Sequence, residues 1–210
     1  MIYQNYLKRV FDVALALLGL CVVSIPMVLI AIMVKLDSRG PILFKQIRVG
    51  KHEKAFKIYK FRTMYVTQPN GSLQITSKSD GRITKVGAFL RASKLDELPQ
   101  LINVVIGNMS LVGPRPEVEK YVAYYDEENR ARILTVRPGI TDFSSIYFRN
   151  ESELLEEADE PEQLYINKIL PIKINFYLRY VDAISFITDT KIIFLTLLEI
   201  VRSDSSRKVL

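Results

Sequence analysis

The 210-residue chain holds one cysteine and one histidine, and these two scarcities remove much of the usual side-chain chemistry. A lone thiol, Cys21, forms no intramolecular disulfide, which fits a reducing compartment. It lies in an apolar run, where a packing role suffices. His52 falls in a polar turn, "GKHEK", and reads as a solvated residue. Together they leave no zinc constellation and no Cys–His nucleophile. G-x-x-x-x-G-K-[ST], G-x-G-x-x-G and G-x-S-x-G are all missing, so P-loop, dinucleotide and serine-hydrolase sites have no support. Internal repeats and low-complexity tracts are absent too. What remains is carboxylate and arginine chemistry.

Charge is unevenly placed. The formal net charge is +6, and the segment from Lys45 to Arg62 holds seven Lys or Arg against one acid. Such a patch expects anionic company: lipid headgroups, phosphorylated substrates or nucleic acid. Between Glu151 and Glu162 lie seven acids and no base, a pattern that usually marks a solvated helical face.

One long apolar run is present, Val13 to Val34. As a helix, these residues rise about 33 Å, against a hydrocarbon core of roughly 30 Å. The run is too long for a cleavable signal, and Lys35-Leu36-Asp37 follows it in place of a small-x-small site. Lys8 and Arg9 precede it, while Lys35, Arg39, Lys45, Arg48, Lys51 and Lys54 follow, so both flanks favour the cytoplasmic side. A straight spanning helix cannot satisfy both. Pro26 removes one helical donor and crowds the preceding turn, and the Ser24 hydroxyl is placed to bond a carbonyl one turn back. These residues admit two readings, a kinked spanning helix and a helix–break–helix that dips into one leaflet and returns.

Beyond Gly40-Pro41, "ILFKQIRVGKHEKAFKIYKFRTM" predicts two strands around the basic turn, with Lys60 and Arg62 on one side of the second. Residues 66–81 are polar and turn-rich, and predict a mobile loop. A helix is expected over 117–134. The apolar "FITDTKIIFLTLLEIVRS" is too short to span; it predicts either an interfacial amphipathic helix or one packed on the domain. The fold class is α/β mixed and helix-rich with a small β-sheet or hairpin. Residues 1–37 form the membrane anchor and 38–210 the catalytic domain.

Asp96-Glu97 carries the densest chemical signal. Pro99 favours a helical first turn, and "LPQLINVV" continues with helical apolar spacing. The pair then stands at a helix N-terminus, which favours anions. Arg91 lies upstream. Downstream, "GPRPE" holds Arg115 between two prolines, restricted as bidentate phosphate recognition requires.

"FKIYKFRTM", "FLRASKLDELPQLINVVIGNMSLVGPRPE" and "VRPGIT" resemble, in order and spacing, the bacterial sugar transferases that are monotopic phosphoglycosyl transferases, in their minimal single-domain form. "YLKRVFDVALALLGL" with the proline-broken run resembles their re-entrant membrane helix, broken here at Ser24 and Pro26. The resemblance implies transfer of a sugar-1-phosphate from a UDP-sugar to a polyprenyl phosphate such as undecaprenyl phosphate, with release of UMP. It implies Asp96 as nucleophile, a phosphosugar–aspartyl intermediate, and Mg²⁺ held by Asp96 and Glu97. Lys60, Arg62, Arg91, Arg115, Arg137 and Arg149 are the candidate phosphate-binding cations. An acceptor with its tail in the bilayer and its headgroup at the cytoplasmic face of the bacterial inner membrane favours the re-entrant reading.

This chain departs from the pattern in three places. It reads Ser24-Ile25-Pro26 at the break, has Lys94 where a serine is common, and continues "DFSSIYFRNESELL" after "RPGIT". Two rivals compete with the enzyme. One is a membrane-tethered module using the basic 45–62 segment, with Phe56, Tyr59 and Phe61 interleaved, to grip lipid or RNA. The other is a Mg²⁺-dependent phosphohydrolase with water as acceptor. Nucleic acid is not the expected partner. The sugar and the oligomeric state, a homodimer included, are left open.

Overall fold

A computed structural model describes residues 3–66 and 80–201. After a short π-helical turn over Tyr3–Leu7, helix α1 runs from Lys8 to Asp37 with Pro26 inside it. Ser24 Oγ donates to the Cys21 carbonyl at 2.8 Å, the local bond expected beside the proline. Among the described residues, α1 is the one helix long and apolar enough to cross a membrane.

One stripe of α1 faces the rest of the chain. Asp12, Ala16, Ile30 and Val34 are buried, and Gly19 lies against Leu101. These positions recur at helical spacing along the whole length. Leu18, Val22, Ile25, Leu29, Ile32 and Leu36 remain exposed on the remaining surface. Charged residues secure both ends. Lys8 Nζ reaches Asp189 at 2.6 Å, Arg9 donates to the Val104 carbonyl at 2.7 Å, and Asp12 accepts from Ser110 Oγ at 2.6 Å. At the other end Arg62 donates to the carbonyls of Val34, Ser38 and Arg39.

Strands β1 (Leu43–Val49) and β2 (Ala55–Phe61) form the expected antiparallel hairpin around an exposed turn, Lys51–Glu53. His52 sits in that turn with φ 54°, exposed, its N–H on the Leu134 carbonyl at 2.7 Å. Phe56 and Ile58 bury one hairpin face against Ala16, Val104 and Met109, while Phe61 packs with Ile30, Val34 and Leu90. Each fully buried side chain of this size contributes about 2 kcal/mol. The loop expected over 66–81 falls mostly outside the described residues.

Helix α2 (Lys85–Ala92) begins at Thr84, whose side chain accepts the Gly87 N–H at 2.9 Å. A Cβ at Gly87 would overlap the Thr63 carbonyl, so α2 lies directly on the chain leaving β2. A 3₁₀ turn over Leu95–Glu97 leads into α3 (Gln100–Ile106). Then β3 (Ser110–Val112) pairs in parallel with β4 (Gly139–Thr141), and the close approach leaves no room for a Cβ at Gly139 beside Gly113.

The helix expected over 117–134 is instead two, α4 (Glu119–Val122) and α5 (Glu127–Ile133). Asp126 explains the break, because its carboxylate accepts the Asn129 N–H at 2.8 Å and starts a new helix. Short helices α6 (Phe143–Tyr147), α7 (Glu151–Glu156) and α8 (Pro161–Leu164) follow. Together with α9 (Leu170–Asp182), these segments enclose a core that includes Tyr121, Tyr165, Ile169 and Tyr177. The acidic stretch is partly committed: Glu151 binds Lys173 at 2.7 Å and Glu162 pairs with Lys120. Helix α10 (Phe186–Val201) buries Asp189 and Ile192 but exposes Phe186, Ile187, Phe194 and Leu197.

Candidate active site

The dyad sits where three segments meet: the end of β2, the 3₁₀ turn before α3, and the loop after β3. Asn103, fully buried in α3, accepts the Tyr59 N–H at 2.9 Å and donates to the Lys57 carbonyl at 2.8 Å. It thereby replaces a neighbouring strand and fixes β2 against α3. Lys60, next along β2, then reaches Glu97 Oε1 with its Nζ at 2.6 Å.

Arg115 arrives from the opposite side. Its loop is tied down at both ends. Gly113 N–H bonds the Thr141 carbonyl at 3.1 Å and Gly139 N–H bonds the Pro114 carbonyl at 2.9 Å. Beyond it, Glu117 accepts from Tyr165 Oη at 2.7 Å, with Arg48 at 3.7 Å. Its carbonyl takes the Val49 N–H at 2.9 Å. Held in this way, Arg115 grips Glu97 with both terminal nitrogens.

The two acids of the dyad therefore live differently. Against the desolvation of its buried setting, the Arg115 and Lys60 charges hold Glu97 well below the ordinary carboxylate range. The same ion pair raises Arg115. Asp96 is 8 % exposed and has no hydrogen-bond or ion-pair partner among the described residues. Burial pushes it above the usual aspartate range, and the Glu97 charge adds to the rise, while Lys60, Lys94 and Arg91 pull against it. The result is a more basic carboxylate, left unbonded among cations.

Arg91 belongs to this group. Its Nε donates to Thr63 Oγ1 at 2.9 Å, made possible by the contact of α2 with Thr63, and Asp96 acts on its charge. Lys94 immediately precedes the turn with φ 58°, a left-handed backbone rare for a side chain of this kind, and lies in the field of both acids. Sequence reasoning noted Lys94 only as a departure, and missed Asn103 and the anchoring role of Glu117.

The remaining expected cations are elsewhere. Arg62, the first residue past the end of β2, is buried, and its guanidinium is committed to the C-terminal carbonyls of α1. Arg137 donates to the Gly107 carbonyl at 2.9 Å, beyond the far end of α3 from the dyad. Arg149 pairs with Glu199 of α10 at 3.3 Å. Nor does the helix N-terminus hold the dyad as expected, because both acids lie in the preceding 3₁₀ turn and α3 is only seven residues long. Side-chain cations set the local field.

Among the described residues no cluster of three or more His, Cys, Asp or Glu is placed to hold a metal ion. A pair of adjacent carboxylates does suit Mg²⁺, which binds through one or two carboxylates plus substrate phosphates. Glu97 Oε2 retains capacity, since its Arg115 contact is 3.4 Å long.

Residues 3–203 match the bacterial sugar transferase family. The UDP-glucose:undecaprenyl-phosphate glucose-1-phosphate transferase of Escherichia coli is 39 % identical over 196 residues, 92 % of this chain and 40 % of that protein. The uncharacterised sugar transferase EpsL of Bacillus subtilis is 38 % identical over 198 residues, 94 % of this chain and 89 % of EpsL. An exopolysaccharide production protein of Rhizobium leguminosarum is 38 % identical over 200 residues, 90 % of this chain and 92 % of its own length. The chain thus spans about two fifths of the E. coli relative and about nine tenths of the two shorter ones. With this match covering nearly its whole length, the chain belongs to the bacterial sugar transferase family.

Proposed function

We propose that this protein is a phosphoglycosyl transferase that moves a sugar-1-phosphate from a UDP-sugar to a polyprenyl phosphate, releasing UMP. The observation that carries the reading is the division of labour in the dyad: Glu97 is committed to Lys60 and Arg115, and Asp96 is unbonded and more basic than usual. The names of the relatives, which specify undecaprenyl phosphate as acceptor, support the substrate class.

In the first step an Asp96 carboxylate oxygen attacks the β-phosphorus. The bond from that phosphorus to the bridging oxygen breaks, and its electron pair leaves with UMP. A phosphosugar–aspartyl species remains. In the second step an oxygen of the polyprenyl phosphate attacks the same phosphorus, and the Asp96 carboxylate is released. No proton need move, because both nucleophiles are already anions. Lys60, Arg91, Lys94 and Arg115 offset the charge of two phosphates and a carboxylate brought together. Mg²⁺, held by Asp96 and Glu97, would neutralise the diphosphate further.

The protein associates with the cytoplasmic face of the membrane without crossing it in this reading. Support comes from α1, whose two ends are both fastened to the same body, through Lys8, Arg9 and Asp12 at one end and Arg62 at the other. Pro26, inside the continuous helix α1, is the position at which a bend would let the helix enter and return, and the exposed apolar side chains of α10 suit a place at the interface. A cysteine at Gln4 and one at Tyr124, in a Cys21→Ala background, should both be labelled only from the cytoplasm. Periplasmic labelling at position 4 would establish a span.

The reaction is tested by UMP release from a panel of UDP-sugars with Mg²⁺ and undecaprenyl phosphate, and by a radiolabelled sugar phosphate retained on the denatured protein. Loss of both in Asp96→Asn is expected. Retention of label by the Asn variant would remove the proposed nucleophile, and free sugar phosphate formed without acceptor would indicate a phosphohydrolase.

A further inference from the structure

The hairpin presents an uncovered ring beside the dyad. In the β1–β2 register Phe44 lies opposite Lys60, Gln46 opposite Ile58, and Arg48 opposite Phe56, so these six share one face. That face is the inward one. Phe56 and Ile58 are buried on it, and Lys60 reaches Glu97 from it. Phe44 lies at its open end and is 46 % exposed.

The alternation extends one step towards α1. The Arg62 N–H bonds the Ile42 carbonyl at 2.9 Å, continuing the ladder, and places Ile42 on the same side as Phe44, about 7 Å along the strand. Ile42 lines an open groove of about 290 Å³ with Val28, Ala31, Ile32, Lys35 and Leu36 of α1. An apolar track thus starts among the exposed side chains of α1, passes Ile42 and Phe44, and ends at the Lys60–Glu97–Arg115 cluster.

The geometry points to this track as the seat of the first isoprene units of the polyprenyl phosphate, an inference that rests on the reaction proposed above. The occupant follows from the polarity of the two ends. The α1 end is apolar and belongs to the surface offered to lipid, and the Lys60 end is cationic. An amphiphile with a long hydrocarbon chain and a single terminal phosphate matches both ends, whereas a nucleotide sugar is polar throughout and matches only one. Phe44 is then an acceptor-binding residue, touching the chain next to its phosphate.

The test uses the full chain in lipid nanodiscs. Phe44→Ala should raise the KM for undecaprenyl phosphate about tenfold, the scale of losing one buried aromatic contact. The KM for the UDP-sugar and the single-turnover release of UMP should stay at wild-type values, which also shows that the variant folds. Phe44→Leu should restore most of the loss, and Ile42→Ser should reproduce the acceptor defect. A photoactivatable polyprenyl phosphate should label residues 28–36 and 42–44. An effect on the UDP-sugar KM alone would make Phe44 a nucleobase platform and overturn the proposal, as would unchanged kinetics or labelling elsewhere. Absence of UMP release from every UDP-sugar in the wild type would overturn the reaction itself, and the labelling pattern would still decide the track.

Discussion

Glu97 is clasped by Lys60 and Arg115, while Asp96, its neighbour in the chain, has no bonded partner among the described residues. Adjacent acids with such different surroundings divide the work. In the proposed reaction one organises the cations, and the other is kept for the substrate.

Asp96→Asn should abolish UMP release and stabilise the fold. A carboxyl whose pKa is raised on folding binds more protons folded than unfolded, so ionising it at neutral pH costs stability. Removing that charge should raise the Tm by about 2–4 °C, equivalent to about 1 kcal/mol. Differential scanning calorimetry reads the shift, and a lowered Tm would contradict the assigned environment.

Glu97→Gln should do the opposite, destabilising by about 2–3 kcal/mol because two cations lose their counter-ion. Glu97 is depressed on folding, so its contribution is complete above the ordinary glutamate value of 4.5. Below that value the unfolded chain takes up a proton that the folded site refuses, and the gap between wild type and variant narrows until the folded pKa is reached. Urea titrations across this range measure it. A gap that widens on acidification would be the wrong sign.

Arg62→Lys tests whether the cation after β2 serves structure or substrate. An ammonium cannot reproduce a guanidinium spread over three carbonyls, so stability should fall by about 2 kcal/mol. The KM for the UDP-sugar should remain within about twofold, as for changes away from a binding site. A large rise in that KM with unchanged stability would return Arg62 to the phosphate-binding group.

Arg91 and Arg137 should separate in the same assay. Arg91→Ala should slow single-turnover UMP release about a hundredfold, the scale of losing one preorganised donor at a developing charge. Arg137→Ala removes the bond to the Gly107 carbonyl, and should lower the Tm while leaving that step within about twofold of wild type.

Much of this site was legible from local pattern. Strand alternation and the "GKHEK" turn gave the hairpin, Pro99 gave the start of α3, and the two prolines around Arg115 gave a restrained cation. What escaped depends on partners distant in sequence. Arg62 follows the alternation of Lys60, but folding places the carbonyls of Val34 and Ser38 around its guanidinium. Arg137 and Arg149 resembled other phosphate-binding arginines until folding placed Gly107 and Glu199 beside them. Lys8 counted as a membrane-flanking charge, yet it is buried against Asp189. The presence of Asp12 one turn later was an available hint, since an acid so close to an apolar run needs a partner. The expected helix over 117–134 failed for a local reason, the capping carboxylate of Asp126.

The stripe of α1 that holds Ala16, Ile30 and Val34 also bears on how the enzyme can be handled. These side chains close the cores that contain Phe56, Val104, Phe61 and Leu90. Trimming the first thirty-seven residues to obtain a water-soluble fragment would unroof both cores and expose the wall behind the dyad. In the membrane placement proposed above, anchor and catalyst cannot be separated with scissors: the depth at which Asp96 rides is then set by a packed seam, so detergent choice becomes part of the chemistry.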